Sequence, residues 1–114
     1  MPKITPITNE NLALADVAPP AGAVSATAWQ CDMRQPYRVV FGADRTVTDH
    51  VLEVYTTAVQ LTDGSLDDGS EVEPLQVWIY RADDNPLNSD QARQLAEALL
   101  DAAKEIDAWT SRDE

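Results

Sequence analysis

A capped amphipathic segment at the C-terminal end of the chain limits the folds open to it. Asn88 is suited to cap a helix, because its side-chain oxygen can accept from the free N–H groups of a first turn, and Gln91 completes a capping-box pattern. Small and apolar residues then recur at steps of three and four: Ala92, Leu95, Ala96, Leu99, Ala102, Ala103, Ile106 and Trp109. This spacing predicts a helix whose apolar face lies on a core, with Glu105 on the outward side.

Segments upstream of the helix have the character of strands. They span residues 24–32, 37–42, 47–61 and 75–80. The segment 43–46 is predicted to be a polar turn, and the Asp63-Gly64 pair predicts a reversal that joins the last two strands as an antiparallel hairpin. The predicted fold class is α+β, an antiparallel sheet of about four strands with one C-terminal amphipathic helix packed on one face.

The length of 114 residues indicates one domain. Four prolines and a glycine break any regular element near the N-terminus, so residues 1–23 are predicted to form an extended arm that packs on the domain or on a partner. Residues 24–110 are predicted to form the single α+β domain, and residues 111–114 a polar tail.

The charge of the chain is strongly negative and unevenly distributed. The formal net charge is −12, and residues 51–114 carry fifteen acidic residues against four basic ones. Such a surface repels phosphate backbones and anionic lipids, so we expect no direct nucleic-acid binding and no membrane binding. The acidic surface either keeps the protein soluble or contacts a basic partner, and an imitation of DNA is the extreme form of the second alternative.

Cysteine usage and hydropathy indicate a cytoplasmic protein. Cys31 is the sole cysteine, which rules out an intramolecular disulfide and any site built on a Cys-x-x-Cys pair. No apolar run has the ~20 residues needed to span a bilayer, and residues 1–9 do not have the pattern of a signal peptide.

Residues that could carry chemistry are few. His50 is the only histidine, and a lone histidine is more often structural than catalytic. The acidic loop 63–73 offers oxygen ligands for Ca²⁺ or Mg²⁺, but its spacing does not follow the EF-hand pattern. No phosphate-binding glycine motif can be written with the four glycines. We therefore predict no catalytic residues, no metal site and no cofactor, with a weak divalent-metal-dependent binder or a small enzyme as an alternative.

Three tryptophans, Trp29, Trp78 and Trp109, are predicted to be core anchors, with Trp78 as the one that could lie outside. Trp78 lies on the face of its strand opposite Leu75, Val77 and Ile79, so it faces away from the helix if the helix covers those three residues. The predicted partner-binding residues are therefore those on the Trp78 face together with the acidic loop: Trp78, Tyr80, Gln76, Asp67, Asp68 and Glu71.

Several stretches resemble a family of short uncharacterised proteins of mycobacteria and their phages. They are 59–65, 91–96 and 102–107, together with the N-terminal stretch 8–18 followed by a tryptophan. The resemblance covers most of the chain in patches, while the extra acidic residues of the loop 67–73 depart from it. The resemblance implies a mycobacterial or phage setting and no established activity, so it assigns no catalytic residue.

These observations lead to one functional prediction with two alternatives. We expect a non-enzymatic, acidic protein that binds another protein or a second copy of itself as a homodimer. The alternatives are a DNA-mimicking inhibitor of a basic host protein and the metal-dependent binder or small enzyme named above.

Overall fold

The computed structural model describes residues 17–111, which form a five-stranded antiparallel sheet with one helix packed on it. The elements, in chain order, are β1 (Ser25–Ala26), β2 (Tyr37–Phe41), β3 (Arg45–Thr46), β4 (Glu53–Leu61), β5 (Gln76–Tyr80) and α1 (Ser89–Ser111). The predicted α+β class, with its antiparallel sheet and C-terminal helix, is confirmed. Most of the predicted arm, residues 1–16, lies outside the described residues, and so do residues 112–114 of the predicted tail.

β4 is the central strand. Its sequence, EVYTTAVQL, is rich in the β-branched and aromatic residues that suit an extended backbone. Val54 pairs with Arg45 of β3 at one edge and with Ile79 of β5 at the other. Farther along β4, Ala58 pairs with Val40 of β2. Every pairing is antiparallel, so the predicted hairpin between β4 and β5 is confirmed.

The chain between β2 and β4 differs from the prediction. β3 lies in the segment predicted as a polar turn, and β4 begins at Glu53 instead of Val47. Between them the chain turns back, with the His50 N–H donating to Val47 O at 3.2 Å and Asp49 at a φ of 58°. The His50 ring closes this turn by accepting from the Leu52 N–H at 3.0 Å. The apolar alternation continues through the segment, but the local hydrogen bonds interrupt the strand.

Gly42 lets β2 continue into β3 along the same edge of β4. Its N–H donates to Thr56 O at 3.0 Å. A Cβ at this position would collide with the Thr56 hydroxyl and with the Glu105 carboxylate. The close approach of the strand to α1 therefore depends on the missing side chain.

The reversal after β4 follows the predicted Asp63-Gly64 signal. Leu61 N–H donates to Ser65 O at 2.9 Å, and Gly64 adopts a φ of 90°, which glycine reaches without steric cost. The Asp63 carboxylate accepts from the Ser65 N–H and from the Ser65 hydroxyl, which fixes the turn.

The start of α1 is also as predicted. Gln91 N–H donates to Asn88 Oδ1 at 2.8 Å, and Asn88 N–H donates to Gln91 Oε1 at 2.9 Å. This reciprocal pair is the capping box.

The buried face of α1 is rotated from the predicted one. Ala98, Ala102 and Trp109 are its buried residues. The predicted core residues Ala92, Ala96 and Ala103 are exposed instead, and Leu99 is only half-buried. Glu105, which the prediction placed on the outward side, faces the sheet.

Arg45 explains this rotation. Its guanidinium contacts Asp101 at 2.7 Å and Glu105 at 3.1 Å, and Thr56 donates its hydroxyl to Glu105 at 2.6 Å. The Arg45 and Glu105 side chains are only 13% and 15% exposed. An apolar pattern read along the helix alone could not place Glu105 inward, because its partners come from β3 and β4.

The core lies between β4 and α1 and consists of two clusters. The first holds Val47, Leu52, Val54, Ala98 and Ala102, and the second holds Val40, Ala58 and Trp109. Both clusters contain small residues of the helix or the sheet, which allow the two layers to approach closely.

The described end of the predicted arm packs on the domain. Three side chains donate to its carbonyl groups at 2.8 Å: Arg38 to Val17, Gln60 to Ala18, and Trp109 to Ala21. The strand predicted over residues 24–32 is reduced to β1 and an isolated bridge between Gln30 and Tyr37.

Candidate functional site

Within the described part of the chain, β5 is an edge strand whose outer edge carries no further strand. Among residues 17–111 it pairs with β4 alone. Val77, Trp78, Ile79 and Tyr80 are 37%, 45%, 45% and 49% exposed. The strand, QVWIY, contains none of the charged residues or prolines that commonly shield an edge against another chain.

The hydrogen bonds of β4 show which of its residues point towards β5. In an antiparallel strand the backbone groups of successive residues point to opposite edges. Thr56 O accepts from Gly42 N–H, so the even-numbered residues of β4 point towards β2 and β3. Leu61 N–H donates to Ser65 O across the turn, so the odd-numbered residues point towards β5.

This alternation identifies the free backbone groups of β5. Tyr55 and Thr57 point towards β5, and their register partners are Trp78 and Gln76. The N–H and C=O groups of these partners therefore bond to β4. The N–H and C=O groups of Val77 and Ile79 point away from the sheet, where a further strand can reach them.

Trp78 is held in place by its neighbours on the face of the sheet opposite α1. Its ring stacks on Tyr55 with the ring centres 6.4 Å apart, and Tyr55 in turn lies 6.2 Å from Phe41. The Trp78 Nε1–H donates to the Thr57 hydroxyl at 2.9 Å. The exposed part of Trp78 is therefore presented in one orientation, which lowers the entropic cost of a contact.

Gln76 and Tyr80 share this face with Trp78, as predicted. Tyr80 is half-exposed, and the guanidinium of Arg81 lies 5.0 Å from its ring centre. Gln76 is half-buried, and its Oε1 is a buried side-chain atom without a hydrogen-bond partner in the described chain. A buried acceptor of this kind costs stability unless a donor reaches it.

α1 leaves the other face of β5 partly uncovered. Val77 and Ile79 lie on the helix side, because they pair with Thr56 and Val54 of β4. The helix is held on β3 by the ion pairs of Arg45 and on β4 by the hydrogen bond from the Thr56 hydroxyl to Glu105. The apolar surface of β5 is consequently exposed on both faces.

Asp67 does not belong to an exposed binding surface, in contrast to the prediction. Its side chain is only 2% exposed, and its carboxylate accepts from the N–H groups of Glu71, Val72 and Glu73 at 3.2, 2.6 and 3.0 Å. Burial alone would raise the pKa of Asp67, but these backbone donors outweigh it and hold the pKa below its usual value. Asp67 therefore organises the loop from within.

The other two acidic candidates lie nearer the solvent. Asp68 is exposed and accepts from the Ser70 N–H at 3.0 Å. Glu71 pairs with Arg34 at 3.0 Å. The structure thus brings together Trp78, Tyr80 and Gln76 on β5, while the acidic candidates belong to a separate loop.

His50 holds two loops together. Its Nδ1 accepts from the Leu52 N–H at 3.0 Å, and its Nε2 lies 2.9 Å from Asn85 O. Both ring nitrogens are therefore engaged with the backbone, which is the structural role expected of a lone histidine. Within residues 17–111 no group of three or more His, Cys, Asp or Glu side chains is placed to hold a metal ion. The part of the chain that the structure describes also holds no helix with the length and apolar character to cross a bilayer.

Comparisons with protein-family models, with curated proteins and with solved structures give no match for this chain. The sequence predicts Trp78 and Tyr80 as candidates, and the structure adds the outward backbone groups of Val77 and Ile79. The signal that could have found these groups is that no strand pattern follows residue 80, which leaves β5 as the last strand of the sheet.

Proposed function

We propose that this chain is a non-enzymatic protein-binding module that receives an extended segment of a protein along β5. The observation that carries the proposal is the outward-pointing backbone of Val77 and Ile79 beside the exposed rings of Trp78 and Tyr80. Strand addition of this kind draws affinity from main-chain hydrogen bonds and specificity from alternate side chains. The mycobacterial or phage setting and the cytoplasmic location remain predictions from the sequence.

The two alternatives have less support from the arrangement of carboxylates. A DNA mimic needs rows of free charges, whereas four acidic residues of the described chain are in ion pairs: Glu71, Asp90, Asp101 and Glu105. Asp67 is buried as well. Of the loop carboxylates that could bind a metal, Asp67 already accepts from three backbone N–H groups.

A matched pair of variants at one position tests the proposal. Val77→Pro removes an outward N–H that does not bond to β4, and proline is tolerated at edge positions. Val77→Thr has nearly the same shape and keeps the N–H. In capture experiments from a host lysate, we expect a protein retained by the wild type and by Val77→Thr to be lost with Val77→Pro.

The ionic strength separates strand addition from capture by charge. Salt screens the charges that hold a complex on the acidic surface, so such a complex should dissociate when NaCl is raised from about 0.05 M to about 0.5 M. A complex held by β5 should persist. The opposite outcome is that captured proteins are retained by Val77→Pro as well as by the wild type and are released at high salt. That result would refute binding along β5 and favour the DNA mimic.

A further inference from the structure

We infer that the strand received by β5 is the β5 of a second copy of this chain, antiparallel to the first and related to it by a two-fold axis at Trp78. This inference rests on the proposed function, because it names the partner of the same edge.

The hydrogen-bond phase restricts the register. Only the backbone N–H and C=O groups that point away from β4 can bond to a second copy, and in β5 these belong to odd-numbered residues. Val77 and Ile79 of one copy must therefore pair with odd-numbered residues of the other. The register that keeps all of Gln76–Tyr80 paired sets Val77 against Ile79 of the second copy and Ile79 against Val77 of the second copy. Each of these two pairs exchanges both of its N–H···O bonds, and Trp78 meets its own symmetry mate in a non-hydrogen-bonded pair.

The side chains of this register match on both faces. On the helix side, Val77 lies against Ile79 of the second copy, so two half-exposed apolar side chains cover each other. On the opposite face the two Trp78 rings become neighbours. The aromatic row Phe41, Tyr55 and Trp78 of one copy then continues into the same row of the other. An isologous contact of this kind needs a self-complementary surface, which β5 provides.

Gln76 supplies an independent reason for this occupant. In the same register Gln76 lies opposite Tyr80 of the second copy. The Gln76 Oε1 is buried and has no hydrogen-bond partner in the described chain, and a tyrosine hydroxyl is a donor. A second copy thus brings a donor to the face of the sheet that carries this acceptor, and the Gln76 side chain must turn towards the second copy for the bond to form.

Charge both helps and opposes the contact. Arg81 is the only lysine or arginine between Arg45 and Arg93. The register places Arg81 opposite Leu75 of the second copy, two residues after Glu73, so one cation lies near that carboxylate at each end of the apolar centre. Continued two residues farther, the register sets Asp83 against Glu73 of the second copy, which opposes the contact. The whole chains, at −12 each, repel one another.

The area indicates a weak dimer. The two aromatic residues are about half-exposed and would together contribute roughly 200 Å² per copy, taking ~150–250 Å² for each whole side chain. Stable complexes bury ~800 Å² on each partner. We therefore expect dimers that form at high protein concentration and dissociate on dilution.

The first experiment measures mass against protein concentration by sedimentation equilibrium. Between about 1 µM and about 1 mM, the wild type should pass from one copy towards two. Val77→Pro removes two of the interstrand bonds of a symmetric dimer and should weaken it by about tenfold or more. Val77→Thr keeps those bonds and should dimerise much as the wild type does. Higher salt should tighten the dimer, because it screens the repulsion between the copies.

The second experiment tests the register by disulfide trapping in a Cys31→Ser background. Non-hydrogen-bonded partners are about 4.5 Å apart at Cα, within the ~4.4–6.8 Å that a disulfide spans. The Trp78→Cys variant alone should therefore cross-link to itself on oxidation. Val77→Cys and Ile79→Cys should each stay largely monomeric alone and should cross-link when the two proteins are mixed.

The outcomes separate this inference from the proposed function. A wild type that stays monomeric throughout refutes the dimer, and the proposed function then stands or falls with the capture experiment on Val77→Pro. A dimer that is equally strong in Val77→Pro, or cross-linking of Val77→Cys to itself in preference to Ile79→Cys, refutes pairing about Trp78. Circular dichroism and the melting temperature of Val77→Pro check that this variant is folded, and the trapping experiment does not depend on it.

Discussion

Asp67 shows how one buried charge can organise a loop that otherwise resembles an acidic surface. We expect Asp67→Asn to lower the free energy of unfolding by about 1–3 kcal/mol, because the amide loses the charge and turns an NH₂ group towards backbone N–H donors. Urea denaturation measures the change. Asp68→Asn is the matched control and should cost less, because Asp68 is exposed and bonds only to its own turn.

Acid should remove the contribution of Asp67. The pKa of this carboxyl in the folded protein lies below the ordinary value of 3.8. Stabilisation by such a group is complete at pH values above its unfolded pKa and is lost as the pH falls through its folded pKa. The difference in unfolding free energy between the wild type and Asp67→Asn should therefore be constant near neutral pH and shrink below pH 3.8. A difference that does not depend on pH would contradict this assignment.

Tryptophan shows how far single residues can be read from the sequence. Trp109 is 1% exposed, as expected of a core anchor. Trp29 is half-buried under the guanidinium of Arg38, 4.7 Å from its ring centre, and Trp78 is half-exposed on β5. The sequence patterns around the three tryptophans are too similar to predict which is buried, which half-buried and which half-exposed. What separates them is the position of the strand in the sheet, which depends on long-range pairing.

At the scale of elements, local signals were reliable where their partners are close in sequence. The capping box of Asn88 and Gln91 and the turn at Gly64 are confirmed. β3 was missed because only two of its residues pair with β4, too few to give an alternating pattern. The rotation of α1 was missed, because it depends on a contact between Arg45 and Glu105, 60 residues apart. Binding edges are hard to predict for the same reason, since an edge is defined by the absence of a further partner.

The attachment of α1 predicts unequal costs for two leucine truncations. Leu52 is fully buried against the helix, whereas Leu99 is only half-buried. Leu52→Ala should destabilise by about 2–5 kcal/mol, the usual range for a leucine truncated in a core. Leu99→Ala should cost clearly less. If thermal or urea denaturation showed equal losses of unfolding free energy for the two variants, Leu99 would be as much a part of the core as Leu52.

The spacing between sheet and helix at Gly42 predicts a coupled pair of substitutions. Gly42→Ala places a methyl group against the Thr56 hydroxyl and the Glu105 carboxylate, so it should destabilise by about 1–3 kcal/mol. Thr56→Ala removes that hydroxyl and should recover part of the loss when the two changes are combined. A double-mutant cycle measures this coupling, and strict additivity would show that the methyl group does not clash with the Thr56 hydroxyl.

For the whole molecule, the stability of the fold should depend on where a charge lies along α1 as well as on the net charge. α1 has an acidic residue, Asp90, in its first turn and no basic residue in its last. The helix dipole favours cations near the C-terminal end, so Asp107→Lys should stabilise the fold by about 0.3–1 kcal/mol, while it also lowers the self-repulsion of a chain at −12.

Asp90→Lys is the matched control for this effect, because it changes the net charge by the same amount. It should destabilise the fold, since it puts a cation at the positive end of the dipole and removes the ion pair with Arg93. Thermal melting at about 0.05 M and about 0.5 M NaCl should show both differences shrinking as salt screens them. If both variants were stabilised equally, net charge alone would govern the stability and the helix dipole would have no measurable part in it.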